Sequence, residues 1–282
     1  MRKLFALLGD PVAHSRSPAL HARAFALLGV DAAYVPCAVA AQDLQVAVLG
    51  LRVLGASGFN VTVPHKGDIA RLCDRLAPAA ERMGAVNCVV REGDLFVGHN
   101  TDAPGLLRAL RAGGVDPTGA RAVVVGAGGS ARAAALALSD RAQSISIVNR
   151  TEAKARSLAS LVRASGCAAE AHASGSEGAA RALAQATLVV HCTTIGLSTN
   201  QLPFDPAALG QGAALVDLVY SSPGSNLGET ALLQAARARG VRTIDGIEVL
   251  VQQGIASLEL WLGRPQLDDL REPLRAAALE AP

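Results

Sequence analysis

Short apolar runs alternate with amphipathic stretches along most of this chain, and that rhythm limits the folds that it can adopt. The runs LFALLG, AAYVPCAV and GFNVTV are followed by helix-like stretches over 18–28, 43–54 and 66–76. A strand that returns to its sheet through a helix lies parallel to the previous strand, and the helices then cover the sheet faces. The pattern therefore predicts α/β layers with mostly parallel strands.

A second series of the same kind starts at Arg121. AVVVG leads into a helix from Ser130, ISIVNR leads into one from Thr151, and AALVDLVY comes before a helix from Leu227. This order is typical of a doubly wound nucleotide-binding domain. After Gly240 the pattern predicts helices alone, over 246–262 and 265–279. Two helices without a strand between them cannot extend a parallel sheet, so we expect them to pack on the first domain.

The turn-rich stretch AGGVDPTG lies between the two series and favours a domain boundary. We predict a substrate-binding catalytic domain over 1–104, a Rossmann-type domain over 105–245, and C-terminal helices over 246–282 that return to the first domain. A length of 282 residues agrees with two domains of ~150 residues each.

Composition excludes several classes of protein. Half of the residues are hydrophobic, 18% are charged, and the formal net charge is +2. These values exclude a disordered chain and argue against a nucleic-acid surface.

No apolar run approaches the ~20 residues that span a bilayer, and the first run ends before any signal-peptide cleavage site. Five cysteines without a CxxC pair predict a reduced, cytoplasmic setting. The oligomeric state stays open, a homodimer included.

The sequence VVVGAGGSA places a phosphate-binding motif between a strand and a helix. Gly126 permits the tight turn, Gly128 lets the backbone approach a pyrophosphate, and Ala131 permits close packing of the helix. The amides that open the helix then face the anion. A plain glycine turn is the alternative, but the succession of strand, turn, helix and strand favours dinucleotide binding.

The end of the next strand indicates which dinucleotide binds. An NAD site usually has Asp or Glu there, whereas this chain has Asn149, Arg150 and Thr151, with Lys154 one helical turn later. Arg150 can bind a 2′-phosphate with two parallel hydrogen bonds, and Lys154 adds a second cation. We predict NADP as the cofactor. No His, Cys or carboxylate cluster has metal-ligand spacing, so neither a metal nor a flavin is implied.

Polar motifs follow the apolar runs of the first domain, where ligands bind in open α/β sheets. They are GDPVAHSRSPALH, GFNVTVPHK, GAVNCVV and GHNTDAPG. Ser17 is a plausible helix N-cap, and Asp102 opens the helix that ends this domain. Only three of the 26 basic residues are lysines, and Lys66 lies in one of these motifs. Hydroxyls, amides, one lysine and one carboxylate predict a site for a polyhydroxylated, anionic ligand.

With these motifs in this order, the chain resembles the shikimate dehydrogenase family from Gly9 to Gly263. The resemblance implies NADP-dependent interconversion of 3-dehydroshikimate and shikimate, within the pathway to chorismate and the aromatic amino acids. It also implies that Lys66 and Asp102 are the catalytic pair. The implied substrate contacts are Ser15 and Ser17 for the carboxylate, Asn60, Thr62, Asn87 and Thr101 for ring hydroxyls, and Tyr220 and Gln253 for closing the pocket. The implied cofactor contacts are Gly126, Ala127, Gly128, Gly129, Ser130, Ala131, Asn149, Arg150, Thr151, Lys154, Thr193 and Gly246.

Two alternatives remain at this point. One is a catabolic quinate/shikimate dehydrogenase, which would often favour NAD. The other is a non-catalytic NADP-binding regulator with the same fold. The run from Asn149 to Thr151 argues against the first, and the presence of both Lys66 and Asp102 argues against the second.

Overall fold

The computed structural model describes residues 2–220 and 229–280, which form alternating strands and helices. The strands are β1 (Lys3–Gly9), β2 (Ala32–Ala38), β3 (Gly58–Val61), β4 (Arg75–Leu76), β5 (Cys88–Glu92), β6 (Leu95–His99), β7 (Arg121–Val125), β8 (Ser144–Asn149), β9 (Ala168–Ala173), β10 (Leu188–His191), β11 (Ala214–Asp217) and β12 (Arg242–Ile244). The helices are α1 (Ser17–Leu27), α2 (Leu44–Val53), α3 (Pro78–Met83), α4 (Asp102–Ala112), α5 (Gly129–Ser139), α6 (Glu152–Ala164), α7 (Glu177–Gln185), α8 (Ala231–Arg237), α9 (Gly246–Leu262) and α10 (Arg271–Glu280).

The chain divides into two compact units. The first contains residues 1–105 and 250–282, and the second contains residues 106–249. The predicted boundaries were after residues 104 and 245, so the second lies four residues later in the structure. Most of α9 and all of α10 therefore belong to the same unit as the N-terminal strands. No helix in the part of the chain that the structure describes is long and apolar enough to cross a membrane.

The first unit has a mixed sheet in the order β2-β1-β3-β5-β6-β4. β1 pairs in parallel with β2 and β3, as the alternating pattern predicts. β5 and β6 form an antiparallel hairpin, and β5 also pairs antiparallel with β3. The expectation of helix-like structure over 66–76 is wrong, because this segment contains only a short 3₁₀ turn at Ile69–Arg71 and the strand β4.

The second unit has an all-parallel sheet in the order β12-β11-β10-β7-β8-β9, which is the doubly wound arrangement. The expectation of helices alone after Gly240 is wrong, because β12 pairs with β11 from Arg242 to Ile244. Three residues are too few to produce a recognisable strand pattern. The predicted start of a helix at Leu227 lies outside the described residues, and α8 is described from Ala231.

The starts of two helices in the first unit show how each is capped. Arg16 occupies the N-cap position of α1, so Ser17 is a helical residue and not the cap. At α4 the side-chain Oδ1 of Asn100 accepts hydrogen bonds from the backbone N–H groups of Asp102 (3.1 Å) and Ala103 (3.3 Å). Asn100 thus satisfies two of the amides that a helix start leaves without partners.

Trp261 anchors α9 on the sheet of the first unit. Its indole N–H donates to the backbone oxygen of Val89 in β5 at 2.9 Å, and its ring lies 4.7 Å from that of Phe5. Gly58 in β3 makes room for this ring, because a Cβ there would lie 2.5 Å from the indole nitrogen. A side chain at position 58 would therefore displace the tryptophan.

His21 lies in the same aromatic cluster and is completely buried. Its ring stacks on Tyr34 with 4.4 Å between ring centroids. Burial lowers the pKa of His21 to about 3, and the neighbouring Asn60 offsets only part of that effect. The imidazole is consequently neutral in the folded protein.

This burial predicts an acid-dependent loss of stability. Between about pH 6 and pH 4 the unfolded chain protonates His21 and the folded chain does not, so unfolding takes up a proton. We expect His21 to lower the free energy of unfolding by about 1.4 kcal/mol for each pH unit of acidification in this window. Urea denaturation of the wild type and of His21→Leu at several pH values measures the effect. Equal slopes in the two proteins would contradict it.

Candidate functional site

Lys66 and Asp102 form a partly buried ion pair in the first unit. The Lys66 Nζ atom lies 2.6 Å from Asp102 Oδ2, and the two side chains are 13% and 18% exposed. Lys66 follows β3 in a turn that is tied to the sheet, because its backbone oxygen accepts from the N–H of Val86 at 2.8 Å. Asp102 is the first residue of α4. A turn and a helix start therefore present opposite charges to each other while leaving both partly open to solvent.

Asn87 holds the other oxygen of this carboxylate. Its Nδ2 donates to Asp102 Oδ1 at 2.8 Å and to Thr101 Oγ1 at 2.9 Å. Its Oδ1 accepts from the backbone N–H of Thr101 at 2.6 Å, which fixes the orientation of the amide. Both of its donors are therefore engaged within the protein. The contact of Asn87 with a ring hydroxyl, which the family resemblance implies, stays a prediction.

Asn60 is held from three directions. Its Nδ2 donates to the backbone oxygen of Asn87 at 3.0 Å and to Ser257 Oγ at 3.1 Å. Its Oδ1 accepts from the Tyr34 hydroxyl at 2.9 Å. Sequence reasoning identified Asn60 but neither Ser257 nor Tyr34. Ser257 sits within the apolar pattern of α9, and Tyr34 within the apolar run of β2, where periodicity alone indicates core.

Gln253, Ser15 and Ser17 are further predicted substrate residues, and their hydrogen bonds lie near those of Asn60 and Asn87 or at the start of α1. Gln253 donates from Nε2 to the backbone oxygen of Leu250 at 2.9 Å, and its Oε1 lies 3.4 Å from Asn87 Nδ2. Ser15 Oγ accepts from the backbone N–H of Ser17 at 3.3 Å. Ser17 is buried, with its hydroxyl beside the phenol of Tyr34.

Thr62 and Tyr220 are the two other predicted substrate residues. The methyl group of Thr62 packs on Gly9, where a Cβ would lie only 2.2 Å from it. Tyr220 is partly buried and belongs to the second unit. The structure thus joins Lys66, Asp102, Asn87, Thr101, Asn60 and Gln253 in one hydrogen-bonded cluster within the first unit.

The second unit has a cradle for a phosphate group at the start of α5. Gly126 has φ of +121°, a conformation that side chains disfavour. Apart from Gly128, its two chain neighbours and the nearby backbone of the helix, no atom of residues 2–220 or 229–280 lies within 4 Å of the position that a Cβ on Gly128 would take, so the backbone there is open to a ligand. Gly128 is the N-cap, and it has no side chain with which to cap the helix. Ala131 is completely buried beneath this turn.

A cleft of about 290 Å³ adjoins this cradle. It is lined by Val125, Ala127, Gly128, Val148, Asn149, Arg150, Thr151, Lys154, Ser174, Thr193, Thr194, Ile195 and Pro203. Arg150 and Lys154 are exposed, and neither forms an ion pair with residues 2–220 or 229–280. Asn149 steadies the turn by donating from Nδ2 to the backbone oxygen of Thr151 at 2.9 Å. Open amides and two exposed cations fit a dinucleotide with an additional phosphate.

A chain of buried hydrogen bonds holds Thr193, which lines one wall of the cleft. His191 Nδ1 lies 2.8 Å from Asp217 Oδ1, and His191 Nε2 lies 2.6 Å from Thr193 Oγ1. The Thr230 hydroxyl donates to Asp217 Oδ2 at 2.6 Å. Sequence reasoning missed His191 and Asp217, although both are the last residues of parallel strands, where polar residues gather around ligands.

Gly246 has a packing role in the structure. A Cβ on this residue would lie 2.6 Å from the backbone oxygen of Leu218, so only glycine fits there. The prediction that Gly246 contacts the cofactor stays a prediction. Among residues 2–220 and 229–280, no group of three or more His, Cys, Asp or Glu side chains could hold a metal ion.

The fold and the two sites define a class, the dinucleotide-binding oxidoreductases with a separate α/β substrate domain. Residues 7–89 match the shikimate dehydrogenase substrate binding domain, and residues 109–196 match shikimate / quinate 5-dehydrogenase. A relative from Symbiobacterium thermophilum, named shikimate dehydrogenase (NADP(+)), is 42% identical over 284 residues, which cover 99% of this chain and 95% of the relative. The chain belongs to the shikimate dehydrogenase family.

Solved structures agree with this assignment. Shikimate 5-dehydrogenase from Thermus thermophilus, in complex with NADP(H) and shikimate, is 34% identical with a TM-score of 0.84, and the match covers 98% of this chain and 99% of that one. Quinate dehydrogenase from Corynebacterium glutamicum, in complex with NAD, is 30% identical with a TM-score of 0.86, and the match covers 98% and 99%. Both neighbours share the two-domain fold that the sequence predicts, so that prediction is confirmed.

The contacts of Asn87 predict that it acts mainly through Asp102. Asn87→Ala should lower kcat for shikimate oxidation by roughly tenfold or more, with a smaller change in KM, because the carboxylate loses a donor that is held in place. Asn87→Asp, which has nearly the same shape, should lower kcat further because it sets a second carboxylate against Asp102. Steady-state kinetics of both variants measures this. A large rise in KM with normal kcat would instead assign Asn87 to substrate binding.

Proposed function

We propose that this protein is an NADP-dependent shikimate dehydrogenase that reversibly reduces 3-dehydroshikimate to shikimate in the cytoplasmic route to aromatic amino acids. The observation that carries the proposal is the partly buried pair of Lys66 and Asp102, held by Asn87 in the substrate unit. Reduction of a ring ketone needs a hydride at carbon and a proton at the developing alkoxide. A positioned ammonium group supplies the proton and stabilises the negative charge.

Each residue of the pair has a distinct task. Lys66 donates a proton to the alkoxide oxygen during reduction and accepts it back during oxidation of the alcohol. Asp102 receives the ammonium on Oδ2, and Asn87 fixes Oδ1, so the carboxylate cannot turn away from the lysine. Part of Asp102 stays open to accept a hydrogen bond from a ring hydroxyl. Ser15 and Ser17 are proposed to bind the substrate carboxylate at the start of α1.

The second unit provides the residues that hold the cofactor. The backbone at Gly126, Gly128 and Gly129 cradles the pyrophosphate, while Arg150 and Lys154 bind the 2′-phosphate. NADPH, when bound, supplies the hydride. Thr193 lines the same cleft and is held by His191.

The proposal makes Arg150 the residue that distinguishes the cofactors. Arg150→Asp should lower kcat/KM for NADP far more than for NAD, because it removes a cation with two donors and adds a charge that repels the phosphate. Initial rates with each cofactor measure the ratio. Arg156→Asp, a change of the same charge on an arginine of α6 that does not line the cleft, is the control. An unchanged NADP/NAD ratio in Arg150→Asp would contradict the 2′-phosphate assignment.

A quinate/shikimate dehydrogenase that uses NAD is the second candidate, since the structural neighbour from Corynebacterium glutamicum binds that cofactor. The exposed cations at Arg150 and Lys154 favour NADP in this chain. Initial rates with shikimate and quinate against NADP and NAD separate the two functions in four assays. A non-catalytic regulator would give no turnover in any of them.

The proton-transfer role of Lys66 leads to a separate prediction. Lys66→Arg keeps the charge, but guanidinium is too weak an acid to release a proton and its planar shape does not match an ammonium site. We expect kcat to fall by roughly 10²- to 10⁴-fold in both Lys66→Arg and Lys66→Met. Binding of NADP to each variant, measured by calorimetry, should stay close to that of the wild type. Near-normal turnover of Lys66→Arg would show that positive charge alone is sufficient.

A further inference from the structure

We propose that His191 is a positioning residue of the nucleotide cleft, which holds Thr193 with its methyl group on Gly126 and its hydroxyl hydrogen turned into the protein. Thr193 then supports the glycine turn by packing and offers no hydrogen to a phosphate oxygen. This inference rests on the proposed function, because it specifies how one wall of the cofactor cleft is built.

The methyl group of Thr193 lies against the glycine turn. A Cβ built on Gly126 would lie 3.2 Å from Thr193 Cγ2, and Gly126 has φ of +121°. Val125 pairs directly with His191 across β7 and β10, so the two strand ends bring Thr193 beside the turn. Thr193 and Gly128 line the same cleft. The rotamer of this threonine therefore shapes the wall next to the phosphate cradle.

Asp217 determines which nitrogen of His191 carries a hydrogen. A carboxylate can only accept, and Asp217 Oδ1 lies 2.8 Å from His191 Nδ1, so Nδ1 is the donor. The carboxylate also accepts from the backbone N–H of Val219 at 3.0 Å and from the Thr230 hydroxyl at 2.6 Å. His191 is completely buried and Asp217 is 1% exposed, so water does not compete for these bonds.

The second nitrogen of His191 then controls the hydroxyl of Thr193. A neutral imidazole with its hydrogen on Nδ1 has an acceptor at Nε2, which lies 2.6 Å from Thr193 Oγ1. The hydroxyl donates its single hydrogen to that nitrogen. The backbone N–H of Ile195 donates to the same oxygen at 3.2 Å, so that contact does not use the hydroxyl hydrogen. The hydrogen of Thr193 is consequently used within the protein.

Anchoring the oxygen of Thr193 also fixes its methyl group, because both are bonded to one Cβ. Without the anchor, the side chain could turn to another staggered rotamer, which would take the methyl group off Gly126 or aim the hydroxyl at a phosphate. The start of α5 already presents backbone amides to an anion. The hydrogen bonds of His191 thus leave phosphate binding to the backbone and give Thr193 a packing role.

Two substitutions of Thr193 separate packing from hydrogen-bond donation, with calorimetric titration of NADP as the measurement. Thr193→Val keeps the shape and the methyl group, so NADP should bind within about twofold of the wild-type affinity, while the melting temperature falls because His191 Nε2 loses its partner. Thr193→Ser keeps the hydroxyl but removes the methyl group, so the dissociation constant should rise roughly threefold to tenfold. A hydroxyl that binds the cofactor directly would give the reverse pattern, and that result would overturn the inference.

His191→Asn tests the anchor itself. The asparagine nitrogen can replace Nδ1 as the donor to Asp217, but the acceptor for Thr193 is removed. We expect the dissociation constant for NADP to rise roughly threefold to tenfold. In the Thr193→Val background the same substitution should change the affinity by less than about twofold, because His191 acts through a hydroxyl that is no longer there. Additive effects in the double variant would overturn the inference.

The position of the imidazole hydrogen can be measured without any cofactor. Nitrogen-15 NMR of the labelled wild type distinguishes a hydrogen on Nδ1 from one on Nε2, and the signals of His191 are those that disappear in His191→Asn. We expect a hydrogen on Nδ1 alone. A hydrogen on Nε2, or on both nitrogens, would overturn the inference because Thr193 would then keep its own hydrogen for a ligand.

The matched control is His172→Asn. His172 lies on β9 in the same unit and is not among the residues that line the cleft, so its substitution should leave NADP binding unchanged. Thermal denaturation shows which variants are folded. If Thr193→Val does not fold, Thr193→Ser and His191→Asn carry the test.

The possible outcomes separate this inference from the proposed function. A wild type that does not bind NADP would overturn both. A wild type that binds NADP without oxidising shikimate would overturn the proposed function alone, because the binding pattern and the NMR signals are measured without turnover. Wild-type affinity for NADP in both Thr193→Ser and His191→Asn would overturn the inference alone.

Discussion

The hydrogen bond from Trp261 to Val89 ties the C-terminal helix α9 to the sheet of the substrate unit. It fixes α9 against β5, and residues four and eight positions earlier on a helix lie on the same face as the tryptophan. Those residues are Ser257 and Gln253, which meet Asn60 and Asn87. A C-terminal helix therefore completes a site whose charged residues all come from the first 105 residues of the chain.

Around Lys66 and Asp102, the side-chain amides are oriented by groups that can only donate or only accept a hydrogen bond. Backbone N–H groups only donate, and carboxylates and backbone oxygens only accept, so each flexible amide between them has one satisfied orientation. Asn87 is oriented by the N–H of Thr101, and Asn60 by the backbone oxygen of Asn87. These contacts hold the two amides in place, because rotation of either amide would leave a buried polar group without a partner.

The sequence predicts those parts of the molecule that depend on local patterns. The two domains and the glycine turn at Gly126 follow from strand and helix rhythm, and the pairing of Lys66 with Asp102 is implied by the resemblance to the shikimate dehydrogenase family. Ser257 and His191 were missed because each stands within an apolar run, and only tertiary contacts show that its polar atoms are used. β12 and the hairpin of β5 and β6 were missed for another reason, since short strands are defined by their neighbours in the sheet.

Trp261 is the only tryptophan in the sequence, and this gives the protein a built-in optical reporter. Its ring lies among Phe5, His21 and Tyr34 and is 8% exposed, so its emission should be shifted to short wavelength while α9 is seated. A red shift in that emission would signal release of this helix from the sheet, whatever happens in the nucleotide-binding unit. The unfolding of the substrate unit can thus be followed by fluorescence without an added label.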